Sequence, residues 1–494
     1  MSSIEILKKI RGETGSAQTI GLGDETILHF LAKDKNLEQA IKNAKDKFEV
    51  YKKEFGDILL MSEEQAIDHV QEDIVNFYPE LQVNPYISLA AKGPWIVTLH
   101  GAVLHDSGGY GMLGLGHAPS VIEEALDQNQ VIANVMTANL SQKKLCELLK
   151  KEIGHSTGKG SPFSKFLFMN SGSESVTVAA RIADLNAKKM TDDGGRHAGK
   201  AIKIMAHEGG FHGRTDRPAQ ASDSTMKANK QLASFRDRQN LITIEPNNID
   251  SLKAAFKQAD ADGVFIEMLL MEPVMGEGNP GLGITPEYYA EARRLTKEKG
   301  TLFLIDSIQA GLRAHGCLSI MDYPGFENLD PPDFETYSKA LNAGQFPLSV
   351  LALTEETAAL YQTGVYGNTM TTNPRAMDVA CAVLGGLTPE LRKNIQASGA
   401  EFMQKFQGLA KEFPEAVTGC SGTGLLCALH LNPEGYQVVG EKGIELYMRH
   451  QGIGVIHGGT NALRFTPHFA ITTEEVDLVI DQIRSALARG PVYS

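Results

Sequence analysis

The sequence predicts an α/β fold: a large domain with a mostly parallel sheet flanked by helices, plus a smaller α+β domain. Two observations carry this. From about residue 163, short apolar runs at 166–169, 201–206, 263–268, 301–305 and 349–353 alternate with helical stretches such as 175–189 and 286–299. Strands buried on both faces and separated by helices are the mark of a parallel sheet. Beyond roughly residue 385 the alternation loosens into mixed helices and short strands, as in a smaller α+β domain. At 494 residues the chain has length for two or three domains.

Taken in order, residues 1–85 read as a helical extension. Leu37, Ile41, Ala44, Phe48, Tyr51 and Phe55 recur at steps of four and three, predicting an amphipathic helix over 36–56 with Gly56 as its C-cap. The pattern is too short for a coiled coil and suits a helix packed on its own domain. Residues 86–130 read as the first part of the small domain, 131–384 as the large domain, and 385–494 as the C-terminal part of the small one.

Composition narrows the function. Forty-seven basic against sixty acidic residues give a net charge of −13, which argues against nucleic acid or an anionic membrane as partner. The five cysteines (146, 317, 381, 420 and 427) are widely spaced without a C-x-x-C, so neither a disulfide framework nor a metal site is expected. The N-terminus has no apolar signal core and no stretch approaches 18 apolar residues, so a cytoplasmic protein is expected.

The chemistry centres on two residues. Asp306 ends the apolar run Thr301-Leu-Phe-Leu-Ile, which would place its carboxylate in the crevice at the carboxyl end of the sheet. Lys339 follows 33 residues later in Asp333-Phe-Glu-Thr-Tyr-Ser-Lys339, where a lysine at a later strand end can reach the same crevice. A carboxylate facing a pyridinium nitrogen and a lysine on an aldehyde are the protein groups that pyridoxal phosphate requires. Asn170-Ser-Gly-Ser-Glu174 follows a strand and opens a helix. Alone it reads as ordinary N-capping; beside this Asp/Lys pair it reads as a phosphate anchor on exposed backbone N–H groups.

Other segments fit the same crevice. Gly209-Gly-Phe-His-Gly-Arg-Thr215 offers Phe211 as a stacking ring and Arg214 as a carboxylate fork. Glu272-Pro-Val-Met-Gly-Glu277 places two carboxylates in a broken loop, for acid–base work or for neutralising an arginine, or as plain surface charge. Tyr366-Gly-Asn-Thr369 is a polar turn before a helix, a further phosphate contact. Arg464 stands alone in apolar Leu463-Arg-Phe465 and would need a carboxylate partner if buried. Gly109-Tyr-Gly-Met-Leu-Gly114 matches a dinucleotide fingerprint, but no clean apolar strand precedes it and Gly116-His-Ala-Pro breaks the helix that should follow. It is read as a decoy.

Six motifs in order over residues 95–485 resemble class III aminotransferases: Asn170-Ser-Gly-Ser-Glu, Gly210-Phe-His-Gly-Arg-Thr, Glu272-Pro-Val-x-Gly-Glu-Gly, Asp306-x-x-Gln309, Ser338-Lys-Ala-Leu and Leu463-Arg-Phe-x-Pro. These are fold-type I pyridoxal-phosphate enzymes, including 4-aminobutyrate, ornithine and lysine 6-aminotransferases. The resemblance implies that Lys339 forms the Schiff base and shuttles the proton between Cα and C4′. It implies that Asp306 keeps the ring nitrogen protonated, Gln309 contacts the ring hydroxyl, Phe211 stacks on the ring, and Gly172 and Ser173 hold the phosphate. Thr369 would reach the phosphate of a neighbouring subunit, making the active unit a homodimer. Arg464 would bind a substrate α-carboxylate, Glu277 would cover it when an ω-amine enters, and Arg214 would take the distal carboxylate of 2-oxoglutarate.

The chain departs from the usual pattern at Met275 (often Gln), Ser307 (often Glu) and Met370-Thr371-Thr372 (commonly Phe-Gly-Gly), which bears on the amine substrate rather than the cofactor. The expected reaction moves an amino group from an ω-amino acid or diamine to 2-oxoglutarate. The alternatives are a racemase, aminomutase or decarboxylase of the same family, a non-catalytic scaffold, and a nicotinamide dehydrogenase using the Gly109 motif. The Arg214/Arg464 pair favours transamination, because forks at opposite ends suit a dicarboxylate co-substrate.

Overall fold

The computed structural model describes the whole chain except residues 110, 127–128, 133–134, 237–238 and 493–494. Its contacts divide it into two compact units: residues 1–120, 397–421 and 427–494 form one, and 121–396 with 422–426 form the other.

In the first unit, β1 (Ser88–Lys92), β2 (Trp95–Thr98) and β3 (Val103–Asp106) run antiparallel. The helix expected over 36–56 runs Lys35–Glu54 and buries Leu37, Ile41, Ala44 and Phe48. It packs against β1 and β2, while Trp95 Nε1 donates to Asp34 Oδ2 at its N-cap (2.6 Å). Gly56 is not the C-cap. The chain turns at Phe55 (φ −134°) directly into a one-turn helix, Gly56–Leu59, so no left-handed residue is required. The decoy also needs a correction. A strand, β3, does precede Gly109, but the next helix begins only at Ser120, so no helix N-terminus meets the glycines. Its Tyr110 lies outside the described residues.

The second unit holds the large sheet. Its strands are β4 (Lys165–Met169), β5 (Ala201–His207), β6 (Leu241–Ile244), β7 (Val264–Met271), β8 (Leu302–Asp306), β9 (Phe334–Tyr337) and β10 (Ser349–Leu353). Their order is β4-β10-β9-β8-β7-β5-β6. All neighbours pair in parallel except at β10, which is antiparallel to both β9 and β4. The five apolar runs read from the sequence are β4, β5, β7, β8 and β10. β6 and β9 were not among them, because Leu241-Ile-Thr-Ile is short and β9 carries a glutamate, Glu335, inside it. The helices Gly172–Thr191 and Pro286–Lys299 cover the sheet. β7, β8, β9 and β10 are buried along their whole length, so their ends rather than their faces offer chemistry.

The remaining strands, in the first unit except for the 422–426 turn between β11 and β12, are β11 (Val417–Thr423), β12 (Leu426–Leu431), β13 (Ile453–Gly454), β14 (Ile456–Gly458) and β15 (Ala462–Phe465). β13 joins β3 in parallel, and β11-β12-β15-β14 form a third sheet. Glu475, near the start of helix Thr473–Ala488, accepts His105 Nε2 (3.1 Å) and His468 Nε2 (3.0 Å) on one oxygen. Its other oxygen takes the Thr472 N–H (2.8 Å). Among the described residues no helix is long and apolar enough to cross a membrane.

Candidate active site

The site of the large sheet is built at the carboxyl ends of adjacent strands. Asp306 is the last residue of β8, 4% exposed and level with Thr336 of β9. Lys339 comes two residues after the end of β9. Two neighbouring parallel strands thus deliver both residues to one edge of the sheet, as their strand-end positions predicted. Lys339 is half-buried at φ +44° and opens a short turn, Lys339–Asn342. A side chain in the left-handed region costs roughly 1–2 kcal/mol. The turn is held by Ser338 Oγ and Asn342 Nδ2, which both donate to the Leu348 carbonyl (2.7 and 2.9 Å).

The N-terminus of Gly172–Thr191 lies against Ile308, just after Asp306. Ser171 is its N-cap, so the Gly172 and Ser173 amides belong to the first turn, whose N–H groups a helix leaves without internal partners. A Cβ on Gly172 would lie 2.4 Å from Ile308 Cδ1, so the glycine lets this turn lie close against the segment after Asp306. Ser173 Oγ bonds the Thr215 hydroxyl (2.8 Å). Gly213, at φ +121°, lies so close that a Cβ there would sit 2.4 Å from Ser173 Oγ. Glu174 binds the Asn170 N–H (2.8 Å), Asn368 Nδ2 (2.7 Å) and the Tyr366 hydroxyl. Burial raises its carboxyl, but these bonds outweigh that and hold it below the usual range. The polar turn carrying Thr369 is thereby fixed beside the helix N-terminus, with Thr369 itself exposed. Thr372, in place of the glycine common in the resembling family, still adopts φ +60°.

Phe211 and Glu272 form a further layer. Glu272 is buried, accepting from the Phe211 N–H (3.0 Å) and the Gly276 N–H (2.9 Å), and burial pushes its carboxyl up to about 7. It is no surface charge: it fixes the backbone that presents the Phe211 ring. Glu277 follows on the same loop, half-buried. Arg214 is exposed, its guanidinium 5.7 Å from the Phe211 ring centroid. Arg464 lies in the other unit on β15, 1% exposed and paired in register with Ala428 and Ile456.

Sequence reasoning missed His212. Its Nδ1 lies 2.9 Å from Asp306 Oδ2, and both groups are buried. The only signal was its place beside Phe211 in a quoted motif; contact with Asp306 depends on β5 and β8 flanking β7. Two buried nitrogens at the site, His212 Nε2 and Gln309 Nε2, have no hydrogen-bond partner among the described residues. Gln309 packs so tightly on Gly276 that a Cβ there would sit 1.9 Å from its Oε1.

These residues fit pyridoxal phosphate. First-turn amides and hydroxyls suit a phosphate, the strand-end carboxylate suits a ring nitrogen, the orphaned Gln309 amide suits a ring oxygen, and a lysine after the neighbouring strand suits an aldehyde.

Comparison with known proteins agrees. The family model described as aminotransferase class-III matches residues 78–487. Ornithine aminotransferase 2 of Staphylococcus aureus is 29% identical over 413 residues, covering 81% of this chain and 93% of that protein. Among solved structures, the ornithine aminotransferase of Toxoplasma gondii ME49 aligns with a TM-score of 0.74 at 22% identity, over 89% of this chain and 98% of that one. A second Toxoplasma gondii ornithine aminotransferase structure, with partial occupancy of PLP at its active site, aligns with a TM-score of 0.71 at 23% identity, over 86% of this chain and 94% of that one.

Proposed function

Because the chain belongs to the class-III aminotransferase family, and is thus a pyridoxal-phosphate-dependent transaminase of fold type I, we propose that its donor is an ω-amino acid or diamine and its acceptor 2-oxoglutarate. Ornithine is the first donor to test, given the Staphylococcus aureus relative; lysine and 4-aminobutyrate follow. The observation that carries the reading is the delivery of Asp306 and Lys339 by adjacent strands to one edge of the sheet.

When bound, pyridoxal phosphate supplies a carbonyl that links to amines and a protonated ring that draws electrons from the breaking bond. The chain's own groups do the rest. Lys339 Nζ would hold the cofactor and, with its amine free, would serve as the base that moves a proton. Asp306, oriented by His212 Nδ1 and by the Ile308 N–H (3.2 Å), would hold a proton on the ring nitrogen. Gly172 and Ser173 would hold the phosphate, Phe211 would stack on the ring, and Gln309 Nε2 would donate to the ring oxygen.

Arg214 is assigned to the distal carboxylate of 2-oxoglutarate; its exposure and its place beside Phe211 support this. The assignment of Arg464 to an α-carboxylate and of Glu277 as its cover rests on the sequence resemblance. A homodimer in which Thr369 reaches the partner's phosphate is part of the proposal, as is a cytoplasmic location. Exposed apolar side chains at Val75, Phe77, Val131, Met136, Leu140 and Met370 support the dimer. The test is a donor screen against 2-oxoglutarate with glutamate as readout. Glutamate formed from ornithine, lysine or 4-aminobutyrate supports the reading; turnover only with pyruvate or only with α-amino donors overturns it.

A further inference from the structure

Glu335 lies inside β9, four residues before Lys339, and is fully buried. A carboxylate within a central strand is a poor choice for packing, and burial pushes this one up to about 7. Its partners explain its presence. One oxygen accepts the Ser307 hydroxyl (2.6 Å) and the Ile320 N–H (2.9 Å); the other accepts the Ser319 hydroxyl (2.5 Å). Ser307 and Ser319 are themselves fully buried. These donors mark the two ends of one excursion, residues 307–320, which leaves β8 immediately after Asp306 and carries Gln309. Within it Ile308 abuts the phosphate turn at Gly172, and the Ile308 N–H holds Asp306 Oδ1.

We infer that Glu335 is a positioning residue for the cofactor site: by tying both ends of segment 307–320 to β9, it fixes the direction in which Asp306 and Gln309 face. Ser307 stands where the resembling family often carries a glutamate; here the serine donates to a carboxylate on the neighbouring strand. The inference rests on Asp306 facing the ring nitrogen. With Glu335 absent, the Ser307 and Ser319 hydroxyls and the Ile320 N–H lose their shared acceptor inside the core, and the segment shifts to find others.

The test uses Glu335→Val, Glu335→Gln and Ser307→Ala, with Asp306→Asn as reference. Each protein is first checked for folding by circular dichroism. Three quantities are then read: pyridoxal phosphate affinity of the cofactor-stripped protein by equilibrium dialysis, the pH midpoint of the visible band, and kcat and KM separately. Glu335→Val should weaken cofactor affinity about tenfold and lower kcat about ten- to hundredfold, with the amine KM within about twofold, as for small misplacement of reacting groups. Glu335→Gln keeps an acceptor for Ser307 and Ile320 and should recover most of the loss. Ser307→Ala breaks one link only and should show a smaller change of the same kind; it stands as the test if Glu335→Val does not fold. Wild-type affinity, band midpoint and kcat in folded Glu335→Val or Ser307→Ala overturn the inference. If Asp306→Asn is also unchanged, it is the Asp306 assignment that has failed.

Discussion

Replacing Asp306 by asparagine keeps the shape of the side chain and removes its charge. In the structure the carboxylate is 4% exposed, 2.9 Å from His212 Nδ1, and accepts the Ile308 N–H at 3.2 Å. Two costs follow. Asparagine keeps one acceptor oxygen, so it loses part of a charge-assisted hydrogen bond, and such bonds contribute about 1.5–3 kcal/mol. The larger cost is to chemistry. An opposite charge about 4 Å away is worth roughly 4 kcal/mol at an effective dielectric constant of 20, nearly three units in the pKa of the ring nitrogen. The proton leaves that nitrogen at neutral pH, and the ring becomes a weak electron sink. We expect kcat to fall about a hundredfold or more, about 3 kcal/mol of barrier. Single-turnover stopped-flow with saturating amine, on protein shown by absorbance to hold the cofactor, measures this. A loaded variant within threefold of wild type, a difference under about 1 kcal/mol, would mean that Asp306 does not face the ring nitrogen.

Other expectations are independent of that one. Lys339→Ala should retain pyridoxal phosphate through the phosphate turn but lose borohydride-reducible attachment, with turnover down by several orders of magnitude; near-normal activity excludes the assignment. Gly213→Ala places a methyl 2.4 Å from Ser173 Oγ at a φ of +121°, so cofactor affinity should drop at least about tenfold as the phosphate turn is pushed aside; dialysis showing wild-type affinity contradicts this. Glu475 concerns stability and pH. Burial alone would raise its carboxyl, but the bonds from His105 and His468 outweigh this and hold it well below the usual range. A depressed carboxyl adds stability that is present above its unfolded pKa and lost as pH falls. Wild type should therefore lose thermal stability from about pH 5 downward, and Glu475→Gln should start lower and show a flatter acid limb. Parallel acid limbs for the two proteins would show that Glu475 is not the group responsible.

The sequence alone carried the α/β class, the strand-end places of Asp306 and Lys339, and the small-residue turn that opens a helix at Gly172, because each is local. A buried strand is a run of apolar residues, a strand-end Asp is a carboxylate closing such a run, and a phosphate turn is a set of small residues opening a helix. Five strands of the large sheet and the helix Pro286–Lys299 could be read that way. The local signals also failed locally. β9 did not stand out as an apolar run because Glu335 interrupts its pattern, though Lys339 was read as closing a strand there, and Gly56 was taken for a cap where the chain simply starts another helical turn. Other features depend on which distant segments lie side by side, and only the tertiary structure decided those. His212 and Asp306 are 94 residues apart and meet because β5 and β8 flank β7. Glu272 could be read as an acid–base group, an arginine's partner or charge on a turn; its bonds from the Phe211 and Gly276 amides depend on the fold. Ser307 was noted only as a departure from the family pattern, and its hydrogen bond to Glu335 became visible only with β8 and β9 side by side. Periodicity records whether a residue is buried, but the partner of a buried polar group is set by strand order, which neither segment's own sequence contains.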